Sequence, residues 1–301
     1  MTRAFMLVVL LPIALAGQDT TAIKASLLRA DRTAASSEAS LRQAMAPGAA
    51  VLIPGENVLR GEAAWSARLA ALVMSAAGRT AWMPLHAVVS RDGSFGCTTG
   101  VLHLASADST RPATGRYAAC WQREGDGRWR MLALSRASAP ASLKSLPDSL
   151  PGAPGSTGVA APRDARPAFE MTEADRLFGR FSADSGGPAG AFSRWVADDG
   201  MMLGARAAPA RGPEQVRQAF AAFPATGHFA WAPLEALTKA SADGSLGFTI
   251  GEARIAATPA QVTYSKYLTI WRRERDDRYR WVFDIGSDRP TPGDKPAPPS
   301  D

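Results

Sequence analysis

Two aspartates stand where a helix would bury them. Asp31 falls among Leu27, Leu28, Ala34 and Ala35, and Asp175 among Met171, Ala174, Phe178 and Phe181. Each set is spaced for one face of an amphipathic helix. A carboxyl in apolar surroundings is harder to ionise and can serve as an acid or base near neutrality. A structural ion pair with an arginine from a neighbouring sheet is the favoured alternative, because such pairs also put carboxylates at these positions. Other chemistries find little support. The three histidines, His86, His103 and His228, are scattered, and His103 and His228 lack a ligand at metal spacing, so no metal site is expected. Gly93, Gly96 and Gly100 sit inside strand-like text rather than between a strand and a helix, and no serine occupies a nucleophile-elbow pattern. No cofactor is expected.

The elements that must position the two aspartates are repeated. Trp82-Met83-Pro84-Leu85 returns as Trp231-Ala232-Pro233-Leu234, and Ser94-Phe95-Gly96-Cys97-Thr98-Thr99-Gly100 as Ser245-Leu246-Gly247-Phe248-Thr249-Ile250-Gly251. Arg116-Tyr117, Trp121 and Arg123-Glu124 return as Lys266-Tyr267, Trp271 and Arg273-Glu274, and Ala30-Asp31-Arg32 as Ala174-Asp175-Arg176. A nearly constant offset across predicted turns is what a gene duplication leaves. Each copy reads as an amphipathic helix, a short strand (49–53; 200–203) and a second helix opening after Gly61 or Gly212. That helix carries Trp65, Leu69 and Leu72, or Val216, Ala219, Phe220 and Phe223. Four strands close the copy, in the first at 81–90, 95–106, 115–124 and 128–136.

The second and third of these strands can be put in register. Setting Cys97 opposite Cys120 places Gly96 opposite Trp121 and Gly100 opposite Tyr117. In the second copy Gly247 then faces Trp271, Gly251 faces Tyr267, Phe248 faces Ile270, and the hairpin turns at Pro259. Glycines opposite aromatics leave room for rings to lie on the sheet. Directly opposed residues of an antiparallel pair suit a disulfide, so Cys97 and Cys120 are predicted to be bonded.

Arg3 followed by an apolar run from Ala4 to Ala16, ending in Ala14-Leu15-Ala16, has the order of a secretory signal peptide. The run is too short to cross a bilayer. The chain is therefore expected to be exported, periplasmic or secreted, with cleavage near Ala16. Intact-mass analysis of the exported fraction checks this: a mature chain starting near Gly17 is expected, and a full-length chain recovered from cytosol would refute it. The net charge of +6 is carried by arginines interleaved with Asp and Glu, which builds no single-sign block, and no nucleic-acid partner is expected. Residues 139–168 hold six prolines among Gly, Ser and Ala and read as an extended, solvated linker. The resulting division is signal peptide 1–16, domain 17–138, linker 139–168, domain 169–289, and a disordered tail 290–301.

The order of elements and the motifs W-x-P-L, G-x-T-x-G and Y-x-x-x-W-x-R-E resemble the SnoaL-like branch of the nuclear transport factor 2-like superfamily, and within it exported domains of unknown function. The resemblance covers roughly 22–138 and 169–288. It implies an α+β fold: two tandem cones, each a curved antiparallel sheet wrapped against N-terminal helices around a pocket. It implies little about chemistry, since the superfamily holds isomerases, dehydratases, hydrolases and non-catalytic modules. Ketosteroid-isomerase-like catalysis would use a carboxylate base and hydrogen-bond donors in that pocket. Its closest counterpart is Asp175, Glu235, Tyr267 and Asp284 in the second copy, against Asp31, His86, Tyr117 and Leu134 in the first. The second copy also has the family-like ending Val282-Phe283-Asp284-Ile285-Gly286. Trp231, Phe248, Trp271 and Phe283, with Asp31 and His86, are candidate pocket residues, although aromatics at strand spacing are more often core. The reading that follows is an exported non-catalytic module that binds a small apolar molecule or a protein, its domains paired within the chain or in a homodimer. The alternative is an isomerase, dehydratase or hydrolase acting in the second domain.

Overall fold

The computed structural model describes residues 20–74, 81–104, 113–139, 146–147, 149–156, 158–204 and 208–293. The predicted leader and residues 294–301 of the predicted tail lie outside the described residues.

The first half contains helices α1 (Thr20–Ala34) and α2 (Glu38–Ala44), then strands β1 (Met45–Leu52) and β2 (Leu59–Arg60). Short helices α3 (Glu62–Ser66) and α4 (Leu69–Val73) lead to strands β3 (Trp82–Val89), β4 (Phe95–Leu104), β5 (Ala113–Arg123) and β6 (Trp129–Ser138). The second half repeats the plan. It has α5 (Pro167–Phe181), a π-helical turn (Ser182–Gly186), α6 (Gly187–Trp195), β7 (Val196–Met202), β8 (Ala210–Arg211) and α7 (Gly212–Ala219). Strand β9 (His228–Pro233), a 3-10 turn (Glu235–Leu237), β10 (Lys239–Ala240), β11 (Leu246–Thr258), β12 (Gln261–Arg273) and β13 (Tyr279–Asp288) complete it. The sheets run β2-β1-β6-β5-β4-β3 and β8-β7-β13-β12-β11, with β9 and β10 both pairing with β11. The first strand of each copy runs parallel to the last, and the other described pairings are antiparallel. The fold class is thus α+β, as expected.

One pair of helices was not legible in the sequence. Both α2 and α6 intervene before the first strand of their copy, where a single N-terminal helix was expected. They are short, and their starts are set by local caps: Ser37 Oγ accepts from Ser40 N at 3.1 Å, and Pro188 occupies the first turn of α6. The strand register holds throughout. Cys97 faces Cys120, Gly96 faces Trp121 and Gly100 faces Tyr117, while Gly247, Gly251 and Phe248 face Trp271, Tyr267 and Ile270. Both sheets carry a bulge at the same place, between Cys120 and Trp121 and between Ile270 and Trp271, which bends them around the helices. Not every glycine serves the ring opposite it. A side chain at Gly96 or Gly247 would strike Leu27 or Met171 of the overlying helix, each 2.6 Å from the added carbon.

Cys97 and Cys120 are joined, with Cα atoms 4.1 Å apart and a sequence separation of 23. A loop of that size corresponds to roughly 3 kcal/mol of stabilisation in the chain-entropy account. The bond lies on the sheet face turned away from the helices, where the two halves meet.

That meeting face is a shared core. Ala50, Leu52, Val88, Phe95, Cys97 and Cys120 pack with Met201, Phe248, Ile250, Leu268, Ile270 and Phe283 in one buried cluster. Phe95 stacks on Phe248 with centroids 6.1 Å apart. The turns after β3 and β10 clasp each other with near two-fold symmetry. Asp92 N donates to Asp243 Oδ2 at 3.0 Å, and Asp243 N donates to Asp92 Oδ2 at 3.1 Å. The duplicated halves therefore pair within one chain.

The segment read as a solvated linker corrects that reading. Leu146 and Leu150 are buried, and Gly155, Ser156, Val159 and Ala161 are tied to both sheets. Val89 N donates to Ser156 Oγ at 2.8 Å, Val159 N to Arg273 O at 3.0 Å and Ala161 N to Asp243 O at 2.7 Å. The buried Arg272 reaches Gly155 O at 2.8 Å and Asp199 at 2.8 and 3.1 Å. Proline and glycine remove helix and sheet propensity but leave carbonyls and N–H groups to be satisfied, and here the domain seam satisfies them.

Candidate functional site

Both aspartates on the helix faces are fully buried. Neither pairs with an arginine of the sheet, which corrects the favoured reading. Asp31 accepts from Trp82 Nε1 at 2.7 Å and from the Tyr117 hydroxyl at 2.6 Å. Asp175 accepts from Trp231 Nε1 at 3.2 Å and from the Tyr267 hydroxyl at 2.9 Å. The repeat has thus kept a five-part device: a helix aspartate, the strand tryptophan and tyrosine that donate to it, and a threonine that accepts from a second strand tryptophan. Trp121 Nε1 donates to Thr98 Oγ1 at 3.2 Å, and Trp271 Nε1 to Thr249 Oγ1 at 2.8 Å. Gly251 is needed for the second device. A methyl there would lie 2.1 Å from the Tyr267 hydroxyl, so only glycine lets the ring cross the sheet to Asp175.

Neutral donors change the electrostatics relative to an arginine. They satisfy the carboxylate oxygens without offsetting the loss of solvation. Burial therefore dominates, raising Asp31 and pushing Asp175 up to about 6, with the hydrogen bonds opposing. The tyrosines are pushed well above their usual value, first by burial and then by the neighbouring carboxylate.

Asp284 belongs to the same interior, since it faces Thr269 two residues along β12 from Tyr267. Its Oδ2 accepts from Thr269 Oγ1 at 2.6 Å, and burial pushes its carboxyl up to about 7, with the charge of Asp175 adding to the rise. The first copy has Leu134 facing Ala119 in these places, as the sequence comparison anticipated for Leu134. It also has Arg136 where the second has Gly286. Arg136 is buried, lies 5.0 Å from the Trp82 ring centroid and donates to the Leu72 carbonyl, and burial pulls its guanidinium down to about 9.

The remaining candidates do not join this group. Glu235 is 63% exposed in its side chain and pairs with Arg176 at 2.8 Å on the outer surface. His86 is half-buried at the seam, donating through Nε2 to the Pro154 carbonyl at 2.7 Å, with its ring 6.0 Å from that of Phe283. Burial lowers its pKa. Phe248 and Phe283 face the other half and not the cone interior. Trp231 and Trp271 do face inward, but into a packed cluster with Phe178, Phe192 and Trp281. Phe178 alone meets the Phe192, Trp231 and Trp271 rings edge-on at 4.8, 4.4 and 6.1 Å. None of the described clefts is lined by Asp31, Asp175, Tyr267 or Asp284. Among the described residues no cluster of His, Cys, Asp and Glu could hold a metal, and no helix is long and apolar enough to cross a membrane.

The most voluminous described cleft lies outside the second cone, at about 550 Å³. It is bounded by α5, the end of α6 and the β12–β13 turn, with Phe169, Leu177, Trp195 and Tyr279 supplying apolar surface. Phe169 and Leu177 are 44% and 51% exposed, and two of the three exposed large apolar side chains among the described residues therefore stand in one place. Sequence reasoning missed this cleft. The signal was Leu177 on the otherwise charged face of α5, between Arg176 and Arg180.

No family model matches the chain, and no curated protein matches it. Several solved structures are similar over part of its length. One is a ketosteroid isomerase-like protein from Erwinia carotovora atroseptica, 15% identical, covering 40% of this chain and 95% of its own, with a TM-score of 0.32. Another is a nuclear transport factor 2-like protein with a cystatin-like fold from Novosphingobium aromaticivorans, 17% identical, covering 42% and 82%, with a TM-score of 0.31. A domain of unknown function with a cystatin-like fold from Nostoc punctiforme is 13% identical, covering 40% and 79%, with a TM-score of 0.33.

Proposed function

We propose that the protein is an exported, non-catalytic module whose second domain binds a small, largely apolar molecule in its outer cleft. The observation that carries this reading is the placement of apolar surface. In both halves the described buried side chains pack together against the helices, and the buried carboxylates accept from tyrosine and tryptophan donors. Exposed apolar surface collects instead at Phe169 and Leu177, in a cleft whose volume of about 550 Å³ falls within the range of small-molecule sites.

The test is titration with a neutral apolar fluorophore such as N-phenylnaphthylamine. Saturable binding to the whole chain is expected, weakened on the order of tenfold by Leu177→Glu, since burying an unpaired carboxylate in the site is costly. The leucine is exposed, so the thermal transition of the variant should match that of the parent. Absence of saturable binding, or equal binding by the variant, refutes the reading.

A second reading, acid/base chemistry in the second cone, is favoured by one observation: Asp284, at about 7, sits in the range of a general base beside Asp175. It needs an opening to the cone, and none of the described clefts is lined by Asp175 or Asp284.

A further inference from the structure

The duplication provides an internal control for the cleft. The first domain has a cleft at the corresponding place, of about 310 Å³, between α1, α2 and the β5–β6 turn. Its residues differ in kind. Ala25 and Thr33 stand where the second copy has Phe169 and Leu177, and Gln43 and Ala44 where it has Arg194 and Trp195. Trp129 Nε1 there donates to Ser26 Oγ at 3.0 Å, tying helix to strand. The second copy has Tyr279 and Glu170 at those two positions, and the tyrosine hydroxyl turns away to the Gly244 carbonyl at 2.7 Å.

The charges differ too. Three acids line the second cleft, and each has an arginine. Glu170 pairs with Arg273 at 2.9 Å, Asp277 with Arg273 at 3.4 Å, and Glu173 with Arg176. Arg280 is held by Asp276 through contacts of 2.9 and 2.8 Å. Arg194 and Arg278 are left over, with no carboxylate among the described residues in ion-pair range. Arg194 lies over the Phe181 and Trp195 rings, 5.0 and 5.3 Å from their centroids. In the first cleft both equivalent turn arginines are engaged, Arg128 with Asp126 at 2.6 Å and Arg130 with Glu124 at 3.3 Å. The copy that exposes apolar surface is therefore the copy that also carries two arginines outside any described ion pair beside it, with Arg278 attracted to Asp276 only at longer range.

Resting on the reading of this cleft as a binding site, we propose that its ligand is an amphiphile with an anionic head, met by Arg194 and Arg278, whose apolar body lies on Phe169, Leu177 and Trp195. Arginine suits a carboxylate or phosphate head because its planar donors engage two oxygens at once, and an aromatic beneath it holds the guanidinium in place. Attraction of this kind is screened by salt, whereas burial of the apolar body is not.

Three probes of the same chain length separate the parts of the proposal: dodecanoate, dodecanol and dodecyltrimethylammonium, each used to displace a neutral fluorophore from the intact protein. Dodecanoate should compete on the order of tenfold more tightly than dodecanol, with the cationic probe weakest, as expected for charge-assisted hydrogen bonds. The doubly substituted Arg194→Met, Arg278→Met protein should lose the preference for dodecanoate over dodecanol, and added salt should narrow the preference in the parent. Equal competition by dodecanoate and dodecanol, or a preference that survives the double substitution, overturns the anionic assignment while leaving an apolar site. Failure of all three probes to compete overturns the binding reading itself.

Discussion

Replacing Asp175 by alanine is expected to destabilise the protein by roughly 2 to 4 kcal/mol, because the change strands one buried and one half-buried donor at once. The Tyr267 hydroxyl and the indole N–H of the half-buried Trp231 both end on this carboxylate, which is itself fully buried. Asp31→Ala should cost a similar amount, since it strands Tyr117 and Trp82 in the same way. The accompanying Tyr267→Phe substitution distinguishes a structural carboxylate from a reactive one. In the Asp175→Ala background it removes a donor that has lost its acceptor, so it should recover part of the loss, whereas in the parent it should be destabilising. Denaturant unfolding of the four proteins of the cycle measures the coupling. Additive losses would show that the hydrogen bond contributes nothing and would reopen a chemical role for Asp175.

The second large effect is on pH dependence. Asp175 and Asp284 have folded-state values of about 6 and about 7, raised by burial, against about 4 in an unfolded chain. Between these limits the folded state binds more protons than the unfolded one. Their contribution to stability is therefore fully present below about pH 4 and is lost as pH rises through the folded values. For Asp284 alone the loss is on the order of 4 kcal/mol, and because the two carboxyls interact, the observed steps belong to the pair. Chemical denaturation at about pH 5 and about pH 8 should show the parent weaker at the higher value. Asp284→Asn keeps an acceptor for Thr269 and cannot ionise, so most of that difference should disappear. An unchanged difference in the variant would refute the assignment. The first copy, with Leu134 at this position, contributes no matching carboxyl there.

These two expected effects follow from the proposed structural role of the buried carboxylates. An aspartate on the inner face of a helix, a tyrosine on the facing sheet and a second acid nearby are the right residue types for proton transfer. In the fold, the first two are already bonded to each other. The Phe178 ring meets Phe192, Trp231 and Trp271 edge-on beside them.

Much of the architecture was legible in the sequence because its signals are local or periodic. The duplication shows as repeated strings. Strand alternation and one cysteine pair are enough to set the register of β4 on β5, and the repeat carries the same register to β11 on β12. Alternation also held a signal that was missed. Phe248 faces Ile270, one residue removed from Tyr267 and Trp271 in parity, and a strand turns successive side chains to opposite faces. Phe248 therefore had to lie on the face away from the helices, and Phe283, opposite the same Ile270, lies there too.

What no string could show was which groups meet. The sequence left Asp31 open to an arginine, the favoured reading, or to acid/base work, because its actual partners lie 51 and 86 residues away on separate strands. Their approach depends on how tightly the sheet curls and how closely α1 sits. Pro154 reads as linker in any local window, yet its carbonyl accepts a hydrogen bond from His86 Nε2 because two sheets close over it. The outer cleft arises the same way: Leu177, Trp195 and Tyr279 belong to three elements whose separation is set by packing rather than by sequence distance. Local propensity and periodicity fix elements and faces, whereas burial, pairing and cavity shape are properties of surfaces that exist only once the elements have docked.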